Sequence, residues 1–272
     1  MRVRRGTGPL AQAVGGADDE SMPRRALPAL MVALPLLLCG CGADGPPDVA
    51  EEEAPARPFR VAATPAPAGP AARGPGVETA RVVRRTWLRA SPGGRVLAHV
   101  GRRTRFRGPR VVLVERRRGS WAAVRSEAAG RGGGLAWLPA SALRPEQRVT
   151  WRIDIDVSAR RLVLRRHGRA ALRAPVAVGA PATPTPTGRF AVTDRLVFAP
   201  GGPYGCCLLA ISGRQTRLAP GWPGGDRLAI HATSAPSSIG QARSNGCVRA
   251  TEATMRRLLR RVPLGTPVVV QA

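Results

Sequence analysis

From Thr79 onward the apolar residues come in runs of three or four, each cut short by glycine, proline or a cluster of arginines. Runs of that length are too short for helices and match strands bounded by turns. The clearest is Trp151-Arg152-Ile153-Asp154-Ile155-Asp156-Val157, with apolar side chains at odd positions and charges at even ones. A period of two puts one face on a core and the other in water. Leu162-Val163-Leu164 and Val176-Ala177-Val178 follow, so this part reads as antiparallel β, and Pro267-Val268-Val269-Val270 reads as a closing strand. One stretch has a helical period. Thr251 can cap it, Glu252 lies in its first turn, and Met255, Leu258, Leu259 and Val262 share a face before Pro263 ends it. The expected class is mainly β with one short C-terminal helix.

The region 80–145 has the same punctuation. Val96-Leu97-Ala98, Val111-Val112-Leu113-Val114, Trp121-Ala122-Ala123-Val124 and Ala136-Trp137-Leu138 give four or five short strands, enough for a small barrel. The pattern Trp87-Leu88-Arg89-Ala90-Ser91-Pro92-Gly93-Gly94, with Gly119-Ser120-Trp121 and Gly134-Leu135-Ala136-Trp137 after it, is similar to bacterial SH3-like wall-binding domains. Its tryptophans are either core or a stacking surface for a ligand, and the lone His99 has no catalytic companion.

Ahead of this region the chain changes character. Ala26 to Leu38 is an apolar run of thirteen residues behind Arg24 and Arg25, shorter than the roughly 20 residues of a membrane span. A basic start followed by a short apolar stretch is a secretory pattern, with Met22 the expected start of translation. The run ends in Leu38-Cys39-Gly40-Cys41, which resembles a lipobox and selects Cys41, behind Gly40, as the lipidated residue; a plain cleaved signal is the alternative. Residues 42–79 are rich in alanine and proline, carry Glu51-Glu52-Glu53 and lack an apolar period, so they read as an extended tether.

Charge constrains the partners. The chain of 272 residues carries 43 basic residues, all arginine, against 17 acidic ones. Sixteen of the arginines face two acids in 80–145, and 19 face six acids in 146–272. Such a surface attracts polyanions. Behind a signal sequence it meets no cytoplasmic nucleic acid, which leaves stem-peptide carboxylates, anionic wall polymers and lipid headgroups. The expected location is the cell envelope, outside the cytoplasm, anchored to the membrane by lipid.

The chemistry lies near the end. Leu228-Ala229-Ile230-His231-Ala232-Thr233 precedes Ser244-Asn245-Gly246-Cys247-Val248-Arg249. A thiol attacks a carbonyl as thiolate, and with a pKa near ~8.5 it needs a base or cation beside it. His231, sixteen residues upstream of Cys247, is the candidate base. The amides of Gly246 and Cys247 are candidate oxyanion donors, and Arg249 a candidate partner for a substrate carboxylate. The adjacent pair Cys206-Cys207 fits an inert structural role, a redox-sensitive one, or a place along the substrate groove. No CxxC or clustered histidine accompanies it, so neither a metal nor a cofactor is expected.

His231-Ala232-Thr233, Ile239-Gly240 and Ser244-Asn245-Gly246-Cys247-Val248-Arg249, preceded by Pro184-Thr185-Pro186-Thr187-Gly188, resemble the signature of the L,D-transpeptidases of bacterial cell walls, the YkuD-like family. The resemblance covers residues 148–271. It implies a β-sandwich-like catalytic domain in which Cys247 forms a thioester with a peptidoglycan stem peptide and an acceptor amine resolves it into a 3-3 cross-link, or attaches a protein to the wall. It further implies His231 as proton donor and acceptor, oriented by the backbone carbonyl of Ala232, with Ser244, Asn245 and Gly246 lining the oxyanion site. Asn245 stands where the family usually has a second histidine, which implies altered tuning. A wall-lytic cysteine peptidase or L,D-carboxypeptidase, and a non-catalytic wall-binding lipoprotein, remain the alternatives. In papain-like lytic peptidases the cysteine precedes the histidine, the reverse of the order here.

Overall fold

The computed structural model describes residues 76–130, 134–199 and 202–272. The apolar run 26–38, Cys39, Cys41 and residues 42–75 of the expected tether lie outside the described residues. The chain divides into two compact units, 1–50 and 51–272; the first is entirely outside the described residues, and all the elements named below belong to the second. Among the described residues no helix is long and apolar enough to cross a membrane.

The first seven strands are β1 (Val77–Val82), β2 (Thr86–Arg89), β3 (Val96–Val100), β4 (Val111–Arg118), β5 (Trp121–Arg125), β6 (Leu135–Pro139) and β7 (Leu143–Val149). They pair antiparallel in the order β3-β2-β6-β5-β4-β1-β7 around a small core that includes Val82, Leu88, Val112, Val124 and Leu138. Four or five strands were expected from the apolar runs. The additional ones, β1 and β7, are largely polar and pair with each other from Val77↔Val149 to Val82↔Leu143. β1 starts within the last residues assigned to the tether, because Thr79 is fully buried there and its hydroxyl donates to the Gln147 carbonyl at 2.7 Å. Trp137 is core, with the Arg116 guanidinium 5.3 Å above its ring, whereas Trp87 is half exposed and packs against His99 at 4.6 Å.

The second sheet contains β8 (Trp151–Asp156), β9 (Arg161–Arg166), β10 (Arg169–Pro175), β12 (Gly188–Val197), β13 (Cys207–Arg214), β14 (Arg227–Ala232), β16 (Val248–Ala250) and β17 (Pro267–Gln271). Its order is β10-β9-β8-β17-β12-β13-β14-β16, and β11 (Val178–Gly179) pairs separately with β15 (Ala242–Ser244). Ile153, Ile155, Leu162 and Leu164 from one end share a core with Leu209, Ile211 and Ile230 from the other, so the sheet curls around it. The helix α1 (Glu252–Arg261) closes that core with Met255 and Leu258. The Thr251 hydroxyl caps it by accepting the Thr254 amide at 3.3 Å, an interaction worth ~1 kcal/mol.

Two details correct the sequence reading and one completes it. The sheet is mixed, because β17 runs parallel to β8 and β16 parallel to β14. The last strand, read from the sequence as a closing strand without a place in the sheet, lies between β8 and β12, with Val268 and Val270 buried and Val269 half-buried. The third strand of the opening meander is β10, an exposed charged edge strand, and not Val176–Val178. Charged side chains protect such an edge from pairing with another chain. The buried valines instead leave the sheet: Ala177 bridges Arg249 and Val178 pairs Ala242.

Candidate active site

Along β14 the side chains alternate. Leu228, Ile230 and Ala232 enter the main core, while Ala229 joins Leu196, Leu208 and Ala210 on the opposite face. His231 falls on that second face. β16 lies beside β14 in parallel register, Ile230↔Val248 and His231↔Arg249, so Cys247 and Arg249 fall on the histidine's side. Parallel neighbours need a crossover of a dozen or more residues. The sixteen-residue interval from His231 to Cys247 is that crossover. Cys247 packs against the second cluster, and its thiol points to the Arg227 carbonyl at 3.8 Å.

His231, Cys247, Arg249, Ser244 and Asn245 line one open cleft, about 410 Å³ measured out to its mouth, together with Tyr204, Gln215, Trp222 and Arg227. The imidazole is 3% exposed, and its Nδ1 donates to the Ala232 carbonyl at 2.5 Å. That bond fixes the tautomer and leaves Nε2 as a lone-pair acceptor. The Tyr204 ring meets the imidazole edge-on at 5.0 Å. Burial, aided by the Arg249 charge and opposed by the Ala232 carbonyl, lowers the His231 pKa to about 4. At neutral pH the group is therefore an uncharged base.

The turn before Cys247 is held more tightly than its sequence indicates. The Ser244 hydroxyl donates to the Cys247 carbonyl at 2.5 Å and accepts the Gly246 amide at 3.1 Å. The Gly246 amide, a candidate oxyanion donor, is thus engaged by Ser244 in this structure. The Ser244 carbonyl in turn accepts from the Ala180 amide at 2.8 Å and the Thr183 hydroxyl at 3.0 Å.

Sequence reasoning missed the residue that joins these parts. Gln215 is 4% exposed, and its Nε2 reaches the carbonyls of Asn245 (2.9 Å), Thr183 (3.2 Å) and Pro184 (3.2 Å). Its Oε1 accepts the amides of Thr216 and Arg217 at 2.8 and 3.2 Å. It thus ties the proline-threonine loop to the cysteine turn, two segments that looked independent along the chain. Its only sequence signal is a polar residue just past the end of β13, four positions after the apolar run closes at Ile211. Tyr204, Trp222 and Arg227 were missed as well: the first two come from loops with no motif of their own, and Arg227 stands one residue ahead of the Leu228–Thr233 motif.

Cys206 and Cys207 lie in the main core and not along the cleft, with sulfurs 2.6 Å apart and no disulfide. Burial and the neighbouring Cys206 push the Cys207 thiol up to about 12, so it stays protonated. Among the described residues no group of histidine, cysteine and acidic side chains has the arrangement to hold a metal ion.

The first sheet reaches the cleft's face. Thr104 donates to Asp194 on β12, and the Arg214 Nε donates to the Glu127 carbonyl at 2.8 Å. Arg227, whose carbonyl faces the Cys247 thiol, places its guanidinium 5.9 Å from the Phe106 ring and 2.9 Å from the Thr193 hydroxyl. Burial alone would raise the Glu127 carboxyl, but Arg110 and Arg227 hold it below the ordinary value. Asp194 goes the other way, raised by burial despite its hydrogen bonds to Thr104 and Thr193.

Cys247, in the turn that leads into β16, and the neutral His231 on the neighbouring β14 thus share one open cleft, a pairing of thiol and base. Residues 150–270 match the family YkuD, described as the L,D-transpeptidase catalytic domain. The chain is 34% identical over 122 residues, 45% of its length, to a Bacillus subtilis protein named "Putative L,D-transpeptidase YkuD", and 34% over 128 residues, 47% of its length, to a Bacillus licheniformis protein of the same name. The matches span 66% and 70% of those proteins, the first just under two thirds. An L,D-transpeptidase from Mycobacterium smegmatis aligns at 19% identity over 60% of this chain and 90% of that one, with a TM-score of 0.38. The chain belongs to the YkuD family and carries an L,D-transpeptidase catalytic domain.

Proposed function

We propose that the chain is a peptidoglycan L,D-transpeptidase working through a thioester on Cys247. The observation that carries this reading is the parallel register of β14 and β16, which sets Cys247 and Arg249 beside a histidine kept neutral. In the first step His231 Nε2 takes the thiol proton as sulfur attacks the carbonyl of the third residue of a stem tetrapeptide. The proton passes to the departing amine of the terminal D-alanine, and the thioester remains. An acceptor-stem amine then attacks, gives its proton to His231, and leaves with the acyl group as a 3-3 cross-link. The thiolate recovers the proton. The Cys247 amide and the Asn245 side chain are the donors assigned to the oxyanion, and Arg249 the partner for a substrate carboxylate.

Residues 80–145 would act as an SH3-like wall-binding module, and Cys41 as the site of a lipid anchor holding the chain in the envelope. The sequence patterns alone support these parts. Incubation with disaccharide-tetrapeptides and mass spectrometry tests the central step. Cross-linked dimers, absent with Cys247→Ala, are expected; tripeptides without dimers would make the chain an L,D-carboxypeptidase. An unreactive Cys247 towards a carbapenem would remove the thioester altogether.

A further inference from the structure

A second cavity, of about 580 Å³ measured to its open mouth, lies where residues 147–151 join the two sheets and meet the C-terminal end of α1. Arg148, Arg195, Arg260 and Arg261 line it, with Trp151 and Val262 among its apolar walls and no acidic residue. His231 and Cys247 take no part in it.

Elsewhere several partly covered arginines pair with carboxylates: Arg125 with Glu115 at 3.0 Å, Arg165 with Asp154 and Arg214 with Asp226, both at 2.6 Å. Among the described residues none of the four cavity arginines has such a partner. Arg195 is the most constrained. It extends from β12, donates one Nη to the Leu259 carbonyl at the helix end, and keeps its Nε buried without any partner. Burial lowers its pKa, the mark of a desolvated charge that no anion offsets. Arg148 donates to the Gly76 carbonyl, while Arg260 and Arg261 are exposed.

The helix end explains part of this. A helix C-terminus carries about half a negative charge, which favours one cation nearby. Four guanidinium groups exceed that several-fold. A buried charge left uncompensated is costly, and guanidinium forks match the several acceptor oxygens of a phosphate.

We propose that this cavity is a binding site for a phosphate group, carried by a soluble phosphate ester or by a lipid headgroup. The site is separate from the thioester chemistry and stands whether or not that reading holds. Titration of the full chain with glycerol 3-phosphate, followed by phosphorus NMR, is one arm of the test. Sedimentation with phosphatidylglycerol vesicles, against phosphatidylcholine vesicles, is the other. Saturable binding in at least one arm is expected, weakened about tenfold or more by Arg195→Gln and by the double variant Arg260→Gln/Arg261→Gln. Arg173→Gln, which removes one exposed charge on β10, is expected to leave binding unchanged. Binding confined to glycerol 3-phosphate marks a soluble ester, and retention confined to phosphatidylglycerol marks a headgroup. If neither probe binds saturably, or if Arg173→Gln weakens binding as much as the cavity variants, the proposal fails. Should Arg195→Gln not fold, the double variant decides, because both its side chains are exposed.

Discussion

Gln215 occupies the space that any side chain at position 246 would need: a Cβ on Gly246 would collide with the Gln215 Nε2. Gly246 also has φ +110°, a conformation open to glycine and strained for other residues. The amide before the nucleophile and the buried glutamine are therefore one packing unit.

Gly246→Ala is accordingly expected to displace Gln215 and, with it, the cysteine turn. Gln215→Ala, which leaves three backbone carbonyls without that donor, should cost roughly 2–3 kcal/mol of stability and slow carbapenem acylation of Cys247 at least tenfold. Mass spectrometry of the acylated protein and urea unfolding read both effects. Full acylation speed in Gln215→Ala would show that the turn holds without it.

The histidine predicts a pH dependence of stability. Its pKa is about 4 folded against an ordinary 6.5. Above pH 6.5 both states are neutral and the group contributes no slope. Between 6.5 and 4 the unfolded chain takes up a proton that the folded one refuses, so stability falls with falling pH, by roughly 3 kcal/mol in all. Urea unfolding midpoints across that range should fall more steeply in the native sequence than in His231→Gln. Parallel curves would contradict the buried, uncharged imidazole.

Glu127 sits at the junction of the two sheets, with its carboxylate on Arg110 and its carbonyl on Arg214. Glu127→Ala strands a buried guanidinium and is expected to cost about 3–5 kcal/mol. Glu78→Ala, which breaks a partly exposed pair with Arg117, should cost about 1 kcal/mol or less. Thermal unfolding distinguishes them, and equal losses would mean the junction is no better protected than the surface.

Alkylation separates the thiols. In the native protein iodoacetamide should modify Cys247 and spare Cys206 and Cys207, which lie 5% and 2% exposed in the core. Peptide mapping after denaturation should then find both newly reactive. Native labelling of Cys207 at the rate of Cys247 would put that thiol in the wrong place.

Much of this was legible along the chain. The alternation at Trp151–Val157 marks a strand because each side chain meets a different medium, and the helix is readable from Thr251 to Pro263 because cap, stripe and stop are all local. His231 and Cys247 could be paired as candidates because nucleophilic chemistry demands those residue types, and the structure sets both in one cleft. What could not be read depends on distant partners. β1 and β7 carry little apolar signal and exist because they pair with each other. Gln215 gains its importance from three carbonyls 30 to 32 residues away. The interior place of β17 is set by which strands flank it, something its own residues do not state.

The parallel pairing of β14 and β16 has one more consequence. The placing of Cys247 near His231 depends on the β14–β16 ladder and on the Gln215-braced turn at the end of the linking segment, and not on that segment's outer bend. Residues on that outer bend can therefore be lengthened or exchanged by selection while His231 and Cys247 keep their places in the cleft, much as a tool keeps its jaws when its handle is replaced.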